Sequence, residues 1–316
     1  MVVPFRGSTE ELYGLRKRLA LLERRPGDSL TIVDNTPGRK PPGAAPGDPV
    51  QVLHVTDIAA PSFARNRGAA LGQADWLVFI DADVEPSADL LDRYFDPPPQ
   101  EDTGLIGGGV TDAEVPAGGP AVARYAHIRR FMSQADTLRF GDWGYPKTAN
   151  AACRRTAFDA VGGFRDDIRA GEDADLTFRL RAAGWEVERR EDASVVHRSR
   201  QTVVAFISQK LCHGSGAAWL NREYPGAFPA RRLPGLVWWG VRHAARGLRS
   251  AARSRSRDDL LWALLDPLEM IAHEVGRSLP NERPLSARHL LRHISSKRED
   301  PEAQRMRDSG PDRVLD

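Results

Sequence analysis

The sequence predicts an α/β fold in which a mostly parallel central sheet is covered by helices on both faces and followed by a helical C-terminal extension. Three observations carry this. Short apolar runs at residues 30–33, 50–55, 76–80 and 105–110 alternate with segments of helical period, the pattern that sets parallel strands side by side. The chain has 316 residues, 41% of them hydrophobic and 28% charged, which suffices for one large domain with a smaller appendage. Beyond residue 220 the composition turns arginine-rich and helical.

Taken in order, Val2-Val3 opens a strand that Pro4 is expected to cut short, since proline has no N–H for a ladder. Leu12, Leu15, Leu19 and Leu22 fall on one helical face. The strand at 30–33 ends at Asp34-Asn35. Residues 36–49 are dense in proline and glycine and read as a mobile loop. After the strand at 50–55, residues 62–74 read as a helix with Ser62 near its start, and the wholly apolar strand 76–80 ends at Asp81-Ala82-Asp83. A helix carrying Leu90, Leu91 and Tyr94 precedes the strand at 105–110.

Residues 122–135 look helical. Residues 148–154 lead into a short helix closed by Gly162-Gly163-Phe164. Residues 172–183 form a helix stopped by Gly184, 185–189 and 194–196 are strand-like, and 203–220 is helical. Between Arg222 and Arg257 nine arginines face one acid, Glu223. Residues 258–275 form an amphipathic helix with a kink expected at Pro267. The organisation expected is an α/β domain over 1–220, a basic helical extension over 221–279 and a polar, flexible tail over 280–316.

The net charge of +2 excludes a polybasic nucleic-acid binder, and no recognised nucleic-acid module accompanies the local basic stretch. Cys153 and Cys212 are too few and too far apart for a disulfide framework or a zinc cluster and read as free thiols. Met1-Val2-Val3-Pro4-Phe5 has neither the charged lead nor the apolar run of a signal peptide, and no run of about 18 apolar residues suggests a spanning helix. The expected setting is the cytoplasm.

In parallel α/β sheets ligands bind beyond the carboxyl ends of the strands. Asp34 and the Asp81/Asp83 pair both stand at such ends. Two carboxylates one residue apart can hold a hard divalent cation, whose other oxygen ligands a diphosphate supplies; a solvated turn is the plainer reading. Asp34 could contact a nucleobase or simply close a turn. Glu172, Asp173 and Asp175 crowd the start of a helix, where negative charge is favoured. Three acids exceed what capping needs, so one could serve as general base. Arg65 and Arg67 could steady phosphates or lie on the surface. His197 gains a metal role only if the fold returns it to Asp83.

In this order, these segments resemble the inverting family-two glycosyltransferases. The resemblance runs through Val2-Val3-Pro4-Phe5, Ile32-Val33-Asp34-Asn35, Ala64-Arg65-Asn66-Arg67-Gly68, Phe79-Ile80-Asp81-Ala82-Asp83, Ala149-Asn150-Ala151, Gly162-Gly163-Phe164, Gly171-Glu172-Asp173 and His197, covering about residues 1–220. It implies a GT-A-like, Rossmann-type sandwich and a manganese- or magnesium-dependent transfer of one sugar from a nucleotide-diphosphate sugar, usually a UDP-sugar. Asp173 is then the general base with Glu172 beside it. Pro4, Phe5, Asp34, Arg65, Asp81, Ala82 and Asn150 line the donor, and Asp83, Asp81 and His197 hold the metal. Arg6-Gly7 and the long 36–49 segment depart from the pattern, and the Gln-x-x-Arg-Trp motif of processive synthases is absent. A nucleotidyltransferase and an inactive sugar-nucleotide-binding scaffold are the competing readings. The acceptor is open, a lipid-linked carrier or a natural product among the classes. The arginine-rich segment with Trp238 and Trp239 reads as a solvated face, a site for a phosphorylated acceptor, or a peripheral contact with anionic lipid.

Overall fold

Residues 1–39 and 48–283 are described in a computed structural model. The first strand, β1 (Val2–Phe5), is buried throughout and runs through Pro4. It pairs with its neighbour on that flank only at Val2, so the missing N–H of Pro4 forfeits no ladder bond. Helix α1 (Thr9–Leu19) starts with a capping box in which Ser8 and Glu11 satisfy each other's backbone N–H, and it buries Leu12, Leu15 and Leu19. Strands β2 (Leu30–Asp34) and β3 (Val50–His54) follow. Of the expected 36–49 loop, residues 40–47 lie outside the described residues.

Next come α2 (Pro61–Ala69), β4 (Trp76–Ile80), β5 (Val84–Pro86), α3 (Leu90–Phe95) and β6 (Thr103–Asp112). The helix expected over 122–135 is two, α4 (Ala121–Arg129) and α5 (Gln134–Leu138), because Arg130 turns left-handed at φ 52°. Then β7 (Asn150–Arg154), α6 (Arg155–Ala160) and α7 (Glu172–Ala182) lead to β8 (Glu186–His197), one strand where two pieces were expected. The chain closes with α8 (Val203–Glu223), α9 (Leu233–Ser254) and α10 (Arg257–Gly276), which carries Pro267 within it. Residues Met1–Asn281 form one compact unit; the tail expected over 280–316 lies outside the described residues from residue 284 on.

The eight strands of the described residues join one sheet in the order β3-β2-β1-β4-β7-β6-β8-β5. Strands β3, β2, β1 and β4 are parallel, and β7 enters antiparallel between β4 and β6. Because β7 opposes both neighbours, β6 again runs with β4, and β8 runs with β6. Only β7 and the edge strand β5 run against the rest. One rim therefore collects the carboxyl ends of β1, β2, β4, β6 and β8 together with the amino end of β7. Alternate strand residues feed the two faces: Val3, Ile32 and Ile80 pack with α1 and α3, whereas Val2, Val33 and Phe79 pack with α2, α6 and α7. Burial on both faces explains why these strands read as unbroken apolar runs.

Helix α10 packs on α8, α9 and α4 around a buried polar knot. Asp266 accepts from Tyr125 Oη (2.8 Å) and pairs with Arg129 (3.1 Å) and His243 (3.3 Å). Glu269 lies 2.9 Å from the same hydroxyl, whose single proton the two carboxylates share, and pairs with Lys210 at 2.6 Å. Removing one member of such a group leaves its partners desolvated and unpaired. Asp266→Ala is expected to lower stability by about 3 kcal/mol, measured as a fall in the urea midpoint at constant slope.

Candidate active site

The rim is organised by one cation. Helix α2 turns Arg65 inward, and its side chain is only 4% exposed. Its guanidinium donates to Asp81 Oδ1 at 2.6 Å and to Glu172 Oε1 at 3.4 Å, and lies 5.6 Å from the Phe164 ring centre. The next residue repeats the link through the backbone: Asn66 Nδ2 donates to Phe164 O at 2.8 Å, and Asn66 Oδ1 accepts from Phe164 N at 2.9 Å. The Arg-Asn pair of α2 thus clasps the Gly-Gly-Phe turn and the start of α7. Arg65, expected among the donor contacts, gives a donor each to Asp81 and Glu172, while its buried Nε has no hydrogen-bond partner among the described residues.

Gly171 starts α7 with φ 94°, a conformation that L side chains rarely adopt, and an added Cβ would sit 2.9 Å from Leu220. The three acids that follow divide. Asp175 is fully buried and taken up by Arg179 (2.5 Å) and the Tyr224 hydroxyl (2.8 Å), so it is structural. Asp173 accepts from the Thr148 hydroxyl at 2.5 Å through Oδ1. Burial and the charge of Asp173 push Glu172 up to about 7, against the pull of Arg65.

His197 is returned to the rim by two pairings. Antiparallel β5–β8 places it opposite Val84, and parallel β6–β8 places it opposite Asp112. Its Nε2 lies 3.6 Å from Asp83 Oδ2 and its Nδ1 3.4 Å from Asp112 Oδ1. Burial alone would lower its pKa, but the Asp112 and Asp83 carboxylates outweigh it and raise the imidazole to about 9. Asp112 is itself fixed by Met132 N (3.1 Å) and Ser199 Oγ (2.9 Å).

Other expected site residues stand apart from this cluster. Asp34 is fully buried; Thr36 N donates to its Oδ1 at 3.1 Å, while Arg39 (3.1 Å) and His54 (3.5 Å) flank Oδ2. Pro4 and Phe5 lie beside it in β1, in register with Val33 and Asp34, and Arg39 covers the Phe5 ring at 5.7 Å. Ala82 contributes its carbonyl to Arg18 at 3.0 Å. Asn150 was expected to line the donor pocket. Its side chain is instead wholly buried, accepting from Tyr94 (2.8 Å) and donating to Gly109 O (2.9 Å) and Ala193 O (2.7 Å). With both amide protons given to strand carbonyls, it pins β7 to β6 and β8.

Two residues of the rim escaped the sequence reading. Asp112 follows the strand read at 105–110, where a carboxylate at a strand end was a usable signal. Thr148 gave none, because its approach to Asp173 depends on β7 running backwards beside β4. For a divalent cation, Asp83 offers a buried Oδ1 with no hydrogen-bond partner among the described residues, with Asp81 and His197 adjacent. No three-residue His/Cys/Asp/Glu cluster is assembled among the described residues, and a magnesium-like ion that shares its shell with phosphates needs only one or two carboxylates from the protein.

A family profile described as Glycosyl transferase family group 2 matches residues 76–265, from β4 into α10. The chain is 29% identical over 209 residues to the pre-mycofactocin glycosyltransferase of Mycobacterium tuberculosis (strain CDC 1551 / Oshkosh), covering 63% of this chain and 43% of that protein. It is 30% identical over 109 residues to the succinoglycan biosynthesis protein ExoA of Rhizobium meliloti (strain 1021), covering 34% of this chain and 33% of that one. It thus spans less than half the length of these curated relatives. The mannosyltransferase PcManGT from Pyrobaculum calidifontis, solved with GDP-Man and Mn2+, superposes with a TM-score of 0.57 over 87% of this chain and 85% of that one at 16% identity. At that identity the likeness is one of fold, and the GT-A-like sandwich expected from the resemblance is the fold of this chain.

The raised Glu172 carboxyl has a thermodynamic sign. The folded state holds this proton more tightly than the unfolded state, so its stabilising effect is complete below about pH 4.5 and lost as pH rises to about 7. Glu172→Gln removes that dependence. Its stability relative to the wild type is expected to improve by about 1–3 kcal/mol between pH 4 and pH 8, read from urea denaturation at both pH values.

Proposed function

The chain belongs to glycosyl transferase family group 2, and from that premise we propose that it transfers a single sugar from a nucleoside-diphosphate sugar to an acceptor hydroxyl with inversion at the anomeric carbon. A UDP-sugar is the first donor to test, followed by GDP-mannose, the ligand of the Pyrobaculum structure. A lipid-linked carrier and a natural product are the acceptor classes to screen.

The observation that carries this reading is the juxtaposition, through Arg65, of the Glu172-Asp173 helix start with the Asp81-Ala82-Asp83 turn. Displacement at an anomeric carbon needs a proton acceptor on the incoming hydroxyl and charge neutralisation on the departing diphosphate. Asp173 fills the first role. The Thr148 hydroxyl fixes its Oδ1 at 2.5 Å, which leaves Oδ2 to take the proton. Glu172, half-ionised near neutral pH, tunes the negative charge beside the base. A bound Mn2+ or Mg2+ supplies the positive charge that the leaving diphosphate requires. Asp83, through its unpartnered Oδ1, is the first ligand for it, with Asp81 and His197 completing the protein's share. Asp34 receives the nucleobase once Arg39 moves off it, between Phe5 and β3.

Thermal shift and donor hydrolysis with and without manganese test the proposal. A nucleotide-sugar is expected to stabilise the wild type only with metal, and Asp83→Ala to lose that shift. Asp173→Asn is expected to keep the shift while turnover falls by about 10²–10⁴-fold. Absence of stabilisation by every nucleotide-sugar, with or without metal, returns the chain to the scaffold reading.

A further inference from the structure

The C-terminal helix pair leaves a large apolar face uncovered. On α9, Leu236, Gly240, His243 and Gly247 turn inward, and Gly247 meets Ala263 of α10. One step around the same helix, Val237, Val241 and Leu248 are exposed, Val241 to 65%. On α10, Leu260, Leu264, Leu268, Ile271 and Val275 recur at helical spacing on one line, all of them exposed. Leu248 and Leu260 line the same open depression, so the two stripes face the same side and merge there.

Charge borders this face in a definite way. Arg242, Arg246, Arg249 and Arg253 form a row at i, i+4, i+7 and i+11 on α9, all exposed. Trp238, 61% exposed, stands between that row and the aliphatic stripe, with Arg242 over its ring at 4.3 Å. Of the nearby acids, Asp258 pairs with Arg124, whereas Asp259 accepts from Ser250 (3.1 Å) and Ser254 (2.7 Å), which line one depression with Arg246, Arg249 and Arg253, so the row outnumbers the single acid beside it. No described helix is long and apolar enough to cross a membrane.

We propose that α9 and α10 form a docking surface for an anionic lipid bilayer, with the aliphatic stripes at the acyl boundary and Trp238 and the arginine row at the headgroups. Apolar face, interfacial tryptophan and basic edge are what an in-plane amphipathic helix requires. A second copy of the chain fits worse, because pairing stripe to stripe leaves Trp238 and the arginine row, which lie further round α9, without a partner. The inference rests on this helix pair alone and stands apart from the transfer chemistry.

Co-sedimentation of the full chain with vesicles tests it. Vesicles of phosphatidylcholine with phosphatidylglycerol are expected to carry the protein down, and phosphatidylcholine alone to bind it at least about tenfold less. Leu264→Glu/Ile271→Glu and Arg242→Glu/Arg246→Glu are each expected to abolish sedimentation while retaining the wild-type melting temperature. Hydrogen exchange on the wild type gives a readout free of folding effects: anionic vesicles are expected to protect α9 and α10. The proposal is overturned if the chain stays in the supernatant with anionic vesicles, if neutral vesicles bind it equally, or if light scattering shows a dimer that Leu264→Glu/Ile271→Glu dissociates.

Discussion

One buried guanidinium holds the rim together. Arg65 is the cation that Asp81, Glu172 and Asp173 share, and those carboxylates come from a strand end and from a helix start about ninety residues further along the chain. Burying three like charges in one place is unfavourable unless an opposite charge sits among them with good geometry. Arg65 does so with a 2.6 Å contact to Asp81, and its neighbour Asn66 locks the Gly-Gly-Phe turn that aims α7 inward. The separation between the two acidic motifs is therefore set by a side chain that belongs to neither.

The sheet explains why that cation has anything to join. Six strands run one way and end on one rim, so residues far apart in sequence become neighbours by topology alone. The reversed strand β7 adds what a purely parallel sheet cannot, because its amino end meets the others' carboxyl ends and brings Thr148 to Asp173. Asn150, two residues on, spends both its amide protons holding β7 beside β6 and β8. Conformational precision at the rim is thus supplied by a buried amide one layer below it.

The parts of this arrangement that follow from periodicity were legible in the chain. Apolar runs marked β2, β4 and β6, and the leucine spacing marked α1, because these patterns record burial directly. The acids at positions 81, 83, 172 and 173 were visible as unusual local densities of charge. The reversal of β7 was not, since strand direction leaves no trace in a short run such as Asn-Ala-Ala-Cys-Arg. The same gap hid Thr148 and the burial of Asn150 inside the sheet. Pro4 was read as a strand breaker because its ladder partner could not be known, and Arg130 gave no local sign that it would turn left-handed between α4 and α5. What failed in each case was information about a neighbour distant in sequence.

Arg39 lies against Phe5 and Asp34 at the end of β1 and β2. This corner therefore already holds an ion pair, while Asp34 Oδ2 and His54 Nδ1 make no hydrogen bond among the described residues. On the proposed donor reading, occupation there is an exchange, in which an incoming group must match the ion pair it displaces, and the affinity realised is a difference between two sets of contacts. A ligand fragment with no groups to satisfy Asp34 gains nothing by entering, so this corner rejects poor matches by leaving a buried carboxylate without its counter-charge.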